Sequence, residues 1–524
     1  MTKQQMMLWF CAVLSVGAVG AEDAARKTEH PHIVNMVALN EDNSHFYSSR
    51  KPEDMTLENL KAFVDQYAGG TVTHLFLNAN AMRASFRSKT RDAIWDPVNG
   101  KEPTDRWPQN QKKLFEMGLD PYTIWIARCR EKGVTPWISM RMNDVHSVDE
   151  NDNFMHSTFW RQHPECWRVP NGSPSPWVNR AMNYARPEVR EHHMAFVREL
   201  LERYDADGLE LDWMRFGYHL APGREREEHG FLDQFVEEAR SLVKQWSVKR
   251  GHEIQLAVRV PAHPDAATGL GMDAITWAKN GWVDLIIPCP FWTSSDFDIP
   301  VELWRERLGD VAQRVAIAPG VEYNSRPWSG GAPVANDLAA LRGFAASAWY
   351  RGAENLYLFN WMDSETRPVT ETDYTRLVRD GLTRATVFSS PRRHLVCFRD
   401  TVPAGFPDGA QLPADARAGK AIRVPIGAKP TSGTITAIVG LAGRDGVAGA
   451  TFEATLNGTA MTAIADVADR QSLGGNPARA ICISFPLDAA KDGDNELCVK
   501  QSDAGGDQQI VWVEICIDPG SAKP

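Results

Sequence analysis

Two acidic residues, Asp212 and Glu322, have the type and spacing that a two-carboxylate reaction needs. Asp212 lies near the end of a run at 208–214 in which small and acidic residues alternate with large apolar ones. Glu322 ends a run at 315–322 in which alanine and glycine share its face. Alternate residues of a strand face the same side, and burying an unpaired carboxylate in apolar material is costly. Both acidic faces are therefore expected to look into a polar cavity.

Such a pair of carboxyl groups can hydrolyse a glycosidic bond, because one protonates the leaving oxygen while the other acts as base or nucleophile. We predict Glu322 as the nucleophile or base, and Asp212 as the general acid or its partner. The alternative for each acid is a structural ion pair. In that case Asp212 and its neighbour Glu210 would bind buried arginines, and Glu322 would bind Arg141 or Arg259.

These residues need strands that bring them together, and the chain from residue 30 to 384 supplies eight. Eight β-type runs alternate with helical segments, which is typical of an α/β protein of the (β/α)8 TIM barrel class. The predicted strands are 33–40, 74–80, 136–143, 208–214, 254–261, 283–292, 315–323 and 355–361. The predicted helices are 56–67, 121–132, 187–204, 230–250, 273–280, 302–307 and 337–349. In such a barrel the working residues lie at the C-terminal ends of the strands.

Polar residues stand at the ends of these predicted strands, where the barrel mouth should lie. We predict them as substrate-binding residues, with Glu210, Asp296 and Asp363 as reserve carboxylates for catalysis. The predicted set is Asn78, Asn80, Arg141, Asn143, Glu210, Arg215, Arg259, Trp292, Asp296, Tyr323, Asn360, Trp361 and Asp363. Its arginines would hold one catalytic carboxyl group ionised.

Two long segments between predicted strands, 82–118 and 144–185, are expected to shape a cleft. Loops of this length without secondary structure of their own usually carry function. Their tryptophans are Trp95, Trp107, Trp160, Trp167 and Trp177. Flat rings of this kind suit stacking against sugars, and packing of the loops onto the barrel is the alternative for any one of them.

The composition describes a soluble globular chain of 524 residues with 18 tryptophans and a net charge of −10. This length suits a large barrel and a smaller second domain. An acidic chain without a basic cluster lacks the electrostatic footprint of nucleic-acid binding, so nucleic acid is excluded as a partner. The sequence has no phosphate-binding loop, metal-ligand spacing or Ser-His-Asp order, so we predict no cofactor and no metal.

The N-terminus has the pattern of an export signal. Lys3 precedes an apolar run at 6–19, and small residues at 19–21 form a cleavage site. A signal peptide at 1–21 predicts a secreted or periplasmic protein that starts near Glu22. No later apolar run approaches the length of a membrane span.

After residue 385 the sequence changes to short alternating runs rich in Gly, Thr, Ala and Val. Residues 385–524 therefore predict a smaller all-β sandwich of the jelly-roll type, which either binds glycan or acts as a structural lid on the barrel. Its predicted strands are 421–426, 433–439, 450–456, 480–485, 495–499 and 510–517. One disulfide can form among Cys397, Cys482, Cys498 and Cys516.

The segment 183–190, Asn-Tyr-Ala-Arg-Pro-Glu-Val-Arg, leads through a helical run into 204–215, Tyr-Asp-Ala-Asp-Gly-Leu-Glu-Leu-Asp-Trp-Met-Arg. This pattern resembles the family of secreted glycosyl-hydrolase-like (β/α)8 barrels, whose N…P.VR segment and helix precede a YDVDGIHLDY.R strand. The match covers most of the barrel and includes Arg215, with Glu210 at the family's His position. The resemblance implies a barrel fold and a carbohydrate substrate.

Two other barrel patterns fit less well. The strand is similar to the chitinase motif DGxDxDxE, but Met214 stands where that motif has its catalytic acid, and a thioether donates no proton. Amylase-like barrels also place an Asp on the fourth strand, yet they need a Glu on the fifth, where this chain has Arg259. Neither mechanism transfers intact.

The sequence therefore predicts a secreted glycoside hydrolase that cleaves an oligo- or polysaccharide by a two-carboxylate mechanism. Two alternatives stay open. A barrel that has lost catalysis would be a carbohydrate-binding protein, as Met214 hints. A polysaccharide lyase would use a base together with Arg141, Arg215 or Arg259, which would neutralise a uronate.

Overall fold

The computed structural model describes residues 33–291, 294–363, 370–443 and 449–520. The predicted signal peptide at 1–21 and Trp292 lie outside these residues. Within the described ranges, no helix is both long and apolar enough to cross a lipid bilayer.

The first part of the chain forms a parallel sheet that closes on itself. Its strands are β1 (Val37–Glu41), β2 (His74–Asn78), β3 (Thr135–Arg141), β4 (Gly208–Asp212), β5 (Gln255–Val260), β6 (Leu285–Pro288), β7 (Ala316–Ile317), β8 (Gly320–Glu322) and β11 (Leu356–Phe359). They pair in the order β7-β6-β5-β4-β3-β2-β1-β11-β8. Because β7 and β8 are two halves of one strand, interrupted at 318–319, the ends of this order meet. The predicted (β/α)8 barrel is confirmed.

Helices follow the strands along the chain. The α-helices are His45–Ser49, Leu57–Asp65, Arg106–Glu116, Pro121–Lys132, Thr158–Gln162, Pro187–Arg203, Glu225–Glu228, Gly230–Arg250, Pro264–Gly269, Ala274–Lys279, Val301–Leu308, Leu338–Tyr350, Glu371–Arg376 and Arg384–Ser389. Short 3-10 helices occur at Pro52–Asp54, Pro164–Cys166, Trp177–Arg180, Gly309–Val311 and Leu487–Ala489, and a π-helix at Leu377–Gly381. The helix Pro121–Lys132 begins and ends at residues that favour helix ends. Asp120 accepts a hydrogen bond from the N–H of Tyr122 at its start, and Gly133 ends it with a left-handed φ of 73°.

Aromatic and aliphatic side chains fill much of the barrel interior. They are Ile33, Met36, Ala38, Phe76, Trp137, Ala257, Leu285, Ile287, Cys289, Ala316, Ala318, Tyr357 and Phe359. Gly208 lies beside Trp137, and a Cβ added there would stand 2.3 Å from a ring carbon. Glycine therefore leaves room for the Trp137 ring inside the barrel, and the same face of β4 continues with Glu210 and Asp212.

The two long segments around the barrel mouth differ from the expectation. Segment 82–118 contains the helix Arg106–Glu116, whereas it was expected to lack secondary structure. Four of the five tryptophans in the two segments are buried in the core, and Trp177 is half-buried. Packing the segments onto the barrel is thus the role of most of these rings.

The C-terminal part is all-β. Its strands are β12 (Arg392–Leu395), β13 (Ala414–Asp415), β14 (Ile422–Pro425), β15 (Thr434–Ala442), β16 (Phe452–Leu456), β17 (Thr459–Ala460), β18 (Ala463–Asp466), β19 (Arg479–Phe485), β20 (Asp494–Gln501) and β21 (Gln509–Asp518). One antiparallel sheet has the order β12-β21-β15-β19-β18, with β13 beside β21, and the other has the order β14-β20-β16-β17. Both sheets contribute to one apolar core, which confirms the sandwich. A separate ribbon pairs β9 (Asn324–Ser325) with β10 (Val334–Ala335).

The disulfide expected in the C-terminal part does not form. The described cysteines are all free, including Cys397, Cys482, Cys498 and Cys516. Cys482 and Cys516 lie on β19 and β21, which are separated by β15, so they are not neighbours in the sheet.

The all-β part packs directly on the barrel. Leu395 and Trp512 belong to the same continuous core as the barrel helices. A Cβ added at Gly343, in the helix Leu338–Tyr350, would stand 1.8 Å from the carbonyl oxygen of Arg393, so the two parts touch backbone to backbone. The predicted boundary between residues 384 and 385 stays a prediction.

Candidate active site

Asp212, the last residue of β4, is held as a carboxylate by a buried arginine. Arg259 stands beside it in the register of β5 and binds both oxygens, Nε to Oδ1 at 2.8 Å and Nη2 to Oδ2 at 3.0 Å. The backbone N–H groups of Met214 and Arg215 also donate to Oδ1, at 3.0 and 2.9 Å. A carboxyl group that is paired with a guanidinium through both oxygens is in its ionised form.

The arginine in this pair is itself enclosed. Its guanidinium lies 3.8 Å from the centroid of the Phe359 ring, and Nη1 donates to the carbonyl oxygen of Pro290 at 3.4 Å. Burial opposes the charge of Arg259, but the charge of Asp212 outweighs burial and raises the pKa of Arg259 well above its ordinary value. The structural alternative for Asp212, a pair with a buried arginine, is therefore present in the structure.

Glu322, the last residue of β8, has no such partner. Its Oε1 accepts from the backbone N–H of Tyr323 at 3.0 Å, and the Asn360 amide donates to the two carboxyl oxygens at 3.3 and 3.2 Å. Among the described residues, Arg141 pairs with Asp42 and Arg259 with Asp212, so the ion pair expected for Glu322 does not form.

The electrostatic consequence for Glu322 is large. The side chain is fully buried, and burial raises the pKa of its carboxyl group to about 8. The N–H of Tyr323, the charge of Arg215 and the amide of Asn360 pull the pKa down, but less strongly. Glu322 is therefore protonated at neutral pH, whereas Asp212 is ionised.

Glu210 lies two residues before Asp212 on the same face of β4. It is 0% exposed, and neither of its carboxyl oxygens has a hydrogen-bond partner of standard geometry among the described residues. Burial, and then the charge of Asp212, raise the pKa of Glu210 to about 8. It is a neutral acid deep in the barrel, without the arginine pair that the structural alternative expected.

A cavity of about 760 Å³ opens at the barrel mouth. We call it the cleft. It is lined by Asp42, Ser44, His45, Val145, His146, Ser147, Val148, Asp149, Pro174, Ser175, Pro176, Trp177, Arg215, Phe216, Phe291, Tyr323, Asn360 and Met362. These residues follow the C-terminal ends of β1, β3, β4, β6, β8 and β11, as expected for a barrel site.

The two candidate carboxyl groups lie directly beneath this cleft. Asp212 is 1% exposed and Glu322 0%, so neither lines the cavity. Their hydrogen-bond donors do line it: Arg215 above Asp212, and Tyr323 with Asn360 above Glu322. One layer of residues thus separates both acids from the cavity.

One wall of the cleft is aromatic. Trp177 stacks on Phe291 with ring centroids 5.8 Å apart, and Phe216 lies 5.2 Å from Trp177. Phe216 also has a left-handed φ of 69°, which is costly for a bulky side chain. Its surroundings hold this strained residue in the cleft wall, and strain of this kind is concentrated at functional sites.

A network of charges lies next to this wall, since the His146 ring is 4.8 Å from that of Phe216. Arg141 pairs with Asp42 and, at 3.2 Å, with Asp144. Asp144 accepts from Nδ1 of His146 at 2.7 Å, and Arg215 donates from Nη2 to Nε2 of His146 at 2.8 Å. Burial works against the charge of Asp42, but the two arginines outweigh it and lower the pKa of Asp42 to about 2. Asp42 is therefore ionised at neutral pH.

A second charged group reaches the cleft edge. His45 lies between two acids, with Nδ1 at 2.6 Å from Glu41 and Nε2 at 3.0 Å from Asp363. Arg50 binds the other oxygen of Asp363 at 2.8 Å. Burial opposes protonation of His45, but the two acids outweigh it and raise its pKa to about 9. Asp363 is thus committed to two cations and is not a spare catalytic carboxylate.

Of the predicted substrate-binding residues that the structure describes, Arg215, Tyr323 and Asn360 line the cleft. The others lie outside its lining: Asn78, Asn80, Arg141, Asn143, Glu210, Arg259, Asp296, Trp361 and Asp363. Asn80 shows why, because its amide binds both the N–H and the C=O of Arg141 at 3.1 Å and joins two strands instead of meeting a ligand.

Three other residues of the predicted substrate-binding set contact other parts of the protein and so support the fold. Asn143 binds the carbonyl oxygen of Met182 at 3.1 Å and so supports a loop. Trp361 is fully buried in the main hydrophobic core and offers no surface to a sugar. Asp296 lies 3.5 Å from Arg399, at the contact with the C-terminal part.

Sequence reasoning missed several cleft residues. Asp42 follows Asn40 of β1 by two positions, so the alternation used for the other strands would have found it. Phe216 and Phe291 stand just after strands but are apolar, and a search for polar strand ends passes over them. His146 lies within a long loop, where spacing predicts no position.

One group of potential metal ligands occurs in the described part of the chain. The ligand atoms of His163, Glu165 and Cys166 lie within 4.8 Å of one another. None of the three lines the cleft, and Glu165 is exposed to solvent.

No family profile and no curated protein matches the chain. Among solved structures it is similar to a cycloisomaltooligosaccharide glucanotransferase from a Paenibacillus species, with 11% identity, 92% of this chain and 58% of that protein covered, and a TM-score of 0.35. It is also similar to an alpha-L-fucosidase from Paenibacillus thiaminolyticus, with 13% identity, coverages of 66% and 48% and a TM-score of 0.40. A third similar structure is an endo-beta-1,4-mannanase from Thermotoga petrophila, with 12% identity, 93% of this chain and 98% of that protein covered, and a TM-score of 0.40. The chain spans about half the length of the first two proteins, and the chemistry of its site rests on its own geometry.

Proposed function

We propose that the chain is a glycoside hydrolase that binds an oligo- or polysaccharide in the cleft and acts through Asp212 and Glu322. The observation that supports this most is the unequal environment of the two acids. Arg259 and two backbone N–H groups keep Asp212 ionised, whereas burial without a hydrogen-bonded cation keeps Glu322 protonated. Hydrolysis of a glycosidic bond needs one carboxyl group in each of these states.

These environments exchange the roles that the sequence suggested. Glu322 carries a proton and acts as the general acid, which gives the proton to the glycosidic oxygen as its bond to the anomeric carbon breaks. Asp212 carries the negative charge and acts either as the nucleophile at that carbon or as the base that takes a proton from water. Arg259 supports this role because its guanidinium stabilises the negative charge of Asp212.

A substrate reaches the acids through the residues that cover them. The Asn360 amide occupies the hydrogen-bonding positions of Glu322 on the cleft side, and Asn360 itself has a left-handed φ of 62°. A glycosidic oxygen that displaces this amide would meet the proton of Glu322. Arg215, which lines the cleft and donates its N–H to Asp212, would contact the neighbouring part of the substrate.

The lining of the cleft suits a carbohydrate. The rings of Trp177, Phe216 and Phe291 offer flat apolar faces to the C–H faces of a sugar. Beside these rings, the charged side chains of Asp42 and Arg215 offer hydrogen-bond partners to hydroxyl groups.

The proposal is tested with the purified mature chain and a panel of soluble polysaccharides, read by the release of reducing ends. We expect one polysaccharide to be hydrolysed, and the Glu322→Gln variant to lose that activity although it folds normally. If Glu322→Gln hydrolyses the same polysaccharide at the wild-type rate, the assignment of the general acid is wrong.

A second function is favoured by the complete burial of both acids. A carbohydrate-binding barrel without catalysis would keep the cleft walls and leave Asp212 and Glu322 covered. Calorimetric titration separates the two functions, because a binder gives a stable heat of binding with intact polysaccharide and releases no reducing ends.

We also propose export, on the pattern of residues 1–21. Mass spectrometry of natively expressed protein is expected to give a mature start near Glu22, and a chain that retains Met1 or Thr2 would contradict export.

A further inference from the structure

A second groove of about 910 Å³ lies beside the cleft, between loops of the barrel and a segment of the C-terminal part. We call it the side groove. Barrel residues such as Arg168 and Tyr218 line one side, and the segment 402–407, which includes Phe406, lines the other. Two parts of the fold are therefore needed to build it.

The side groove and the cleft meet at Pro176, which lines both. The adjacent ring of Trp177 contacts Phe291 in the cleft at 5.8 Å and Tyr218 in the side groove at 6.0 Å. An apolar surface thus continues from one cavity into the other across the ridge of Pro176 and Trp177.

The ring of Tyr218 is held in place from behind. The guanidinium of Arg168 lies 5.1 Å from its centroid, and this buried arginine is fixed by the carbonyl oxygen of Leu220 at 2.5 Å and by Glu225 at 3.3 Å. A ring that is positioned before the ligand arrives loses little freedom on binding. Tyr218 and Phe406 are both half-buried, so part of each ring remains accessible.

We propose that the side groove binds the continuation of the same glycan chain that occupies the cleft, so that the enzyme takes a polymer and cuts at internal bonds. This inference rests on the proposed function. The groove combines two accessible aromatic rings with exposed Arg226 and Glu227, a mixture that suits the apolar faces and the hydroxyl groups of sugars. Continuity at Pro176 favours one long ligand over two separate ones.

The test uses affinity electrophoresis of the full chain in native gels that contain β-glucan, galactomannan, xylan, pectin or fucoidan. Phe406→Ala removes a ring from an exposed loop, and Tyr218→Ala removes the opposite ring. The matched controls are Phe115→Ala and Tyr350→Ala, because these rings are 45% and 49% exposed and line neither cavity. Circular dichroism checks that every variant is folded.

We expect at least one polysaccharide to retard the wild-type chain, and each groove variant to bind that polysaccharide about fivefold more weakly, while both controls bind as the wild type does. The loss should grow with the length of the oligosaccharide in a chain-length series. The inference is overturned if no polysaccharide retards the wild type, or if Phe406→Ala and Tyr218→Ala are retarded as much as their controls.

The same gels separate this inference from the proposed function. If retardation depends on the side groove but the chain releases no reducing ends, the groove binds glycan and the hydrolase proposal fails. If the chain hydrolyses a polysaccharide but the groove variants bind and cleave it as their controls do, the hydrolase proposal stands and the side groove has no part in binding.

Discussion

The end of β4 and the end of β8 present the same kind of side chain in opposite electrostatic settings. At β4 an arginine in the next strand compensates the charge of Asp212, so that burial leaves it ionised. At β8 Glu322 is hydrogen-bonded only to an amide and a backbone N–H, and the nearby charge of Arg215 is too weak to offset burial, which raises the pKa of Glu322 to about 8. Burial alone therefore does not decide the state of a carboxyl group. The presence or absence of a hydrogen-bonded cation does.

The largest expected effect is the loss of catalysis when the protonated acid at β8 is replaced. Glu322→Gln removes the proton that the general acid gives and keeps its volume, so we expect kcat to fall about 10²- to 10⁴-fold. The melting temperature at pH 7 should rise, because the wild type has to protonate Glu322 when it folds, whereas the amide needs no proton. Steady-state kinetics and calorimetry measure the two quantities.

Glu210→Gln is the matched control for this variant. Glu210 is also buried and also has a pKa of about 8, but it lies deeper in the barrel. We expect kcat to stay within about threefold of the wild type, a change that corresponds to less than 1 kcal/mol in the barrier. Equal losses in the Glu210 and Glu322 variants would show that any buried acid of the barrel matters, and not the one beneath the cleft.

At β4 the same amide substitution should act on stability as well. Asp212→Asn leaves the buried guanidinium of Arg259 without its counter-charge, so we expect the free energy of unfolding to fall by about 3 to 5 kcal/mol together with the loss of activity. Chemical denaturation measures the fall.

A double variant separates the two losses at β4. Asp212→Asn combined with Arg259→Gln removes both charges, so it should recover part of the stability but none of the activity. A single Asp212→Asn variant that is as stable as the wild type would show that the pair with Arg259 contributes little.

The raised pKa of Glu322 should also appear in the pH dependence of stability. The pKa of Glu322 rises from 4.5 to about 8 on folding, so the folded state binds more protons between these values. Its contribution to stability is complete below pH 4.5 and is lost as the pH rises through 8. One such group makes the free energy of unfolding fall by up to about 1.4 kcal/mol per pH unit in this window.

Glu210, with a pKa of about 8, also makes the free energy of unfolding fall as the pH rises, so the slope measured for the wild type contains contributions from both glutamates. Glu322→Gln should therefore flatten the slope between pH 5 and 8 by about 1 kcal/mol per pH unit without removing it. Urea denaturation at a series of pH values measures this, and an unchanged slope in Glu322→Gln would mean that the pKa of Glu322 is not raised.

The smallest effect is expected at the residue that joins Glu322 to the cleft. The amide of Asn360 lowers the pKa of Glu322, so its removal should raise that pKa further and shift the alkaline limb of the kcat profile upward by less than about one pH unit. Asn360→Gly suits this test because glycine keeps the left-handed φ of 62° without strain. A downward shift would contradict the assignment of Glu322 as the acid.

The strands and helices could be predicted well because their signal is local. Alternation along one strand placed Asp212 and Glu322 at strand ends, and the helices Pro121–Lys132 and Gly230–Arg250 were predicted with the bounds that the structure has. These features depend on residues a few positions apart.

The pairing within the site could not be predicted because it depends on contacts between distant segments. Asp212 meets Arg259 through the register of two strands, and no pattern within either strand shows that Glu322 lacks a cation. The cleft wall is equally non-local, since Trp177 and Phe291 come from two different loops. The sequence therefore predicted two acids near a mouth, and the roles proposed for them here differ from that prediction because they rest on these non-local contacts.

The central claim is that Glu322, which is buried without a paired cation, is protonated in the folded molecule at neutral pH. Carbon-13 NMR of the full chain labelled at the Glu side-chain carboxyl carbons tests it directly, with Glu322→Gln used to assign the signal. We predict a carboxyl signal that titrates with a midpoint near pH 8 and disappears in Glu322→Gln. A Glu322 signal that titrates near its ordinary value of 4.5 would contradict the account.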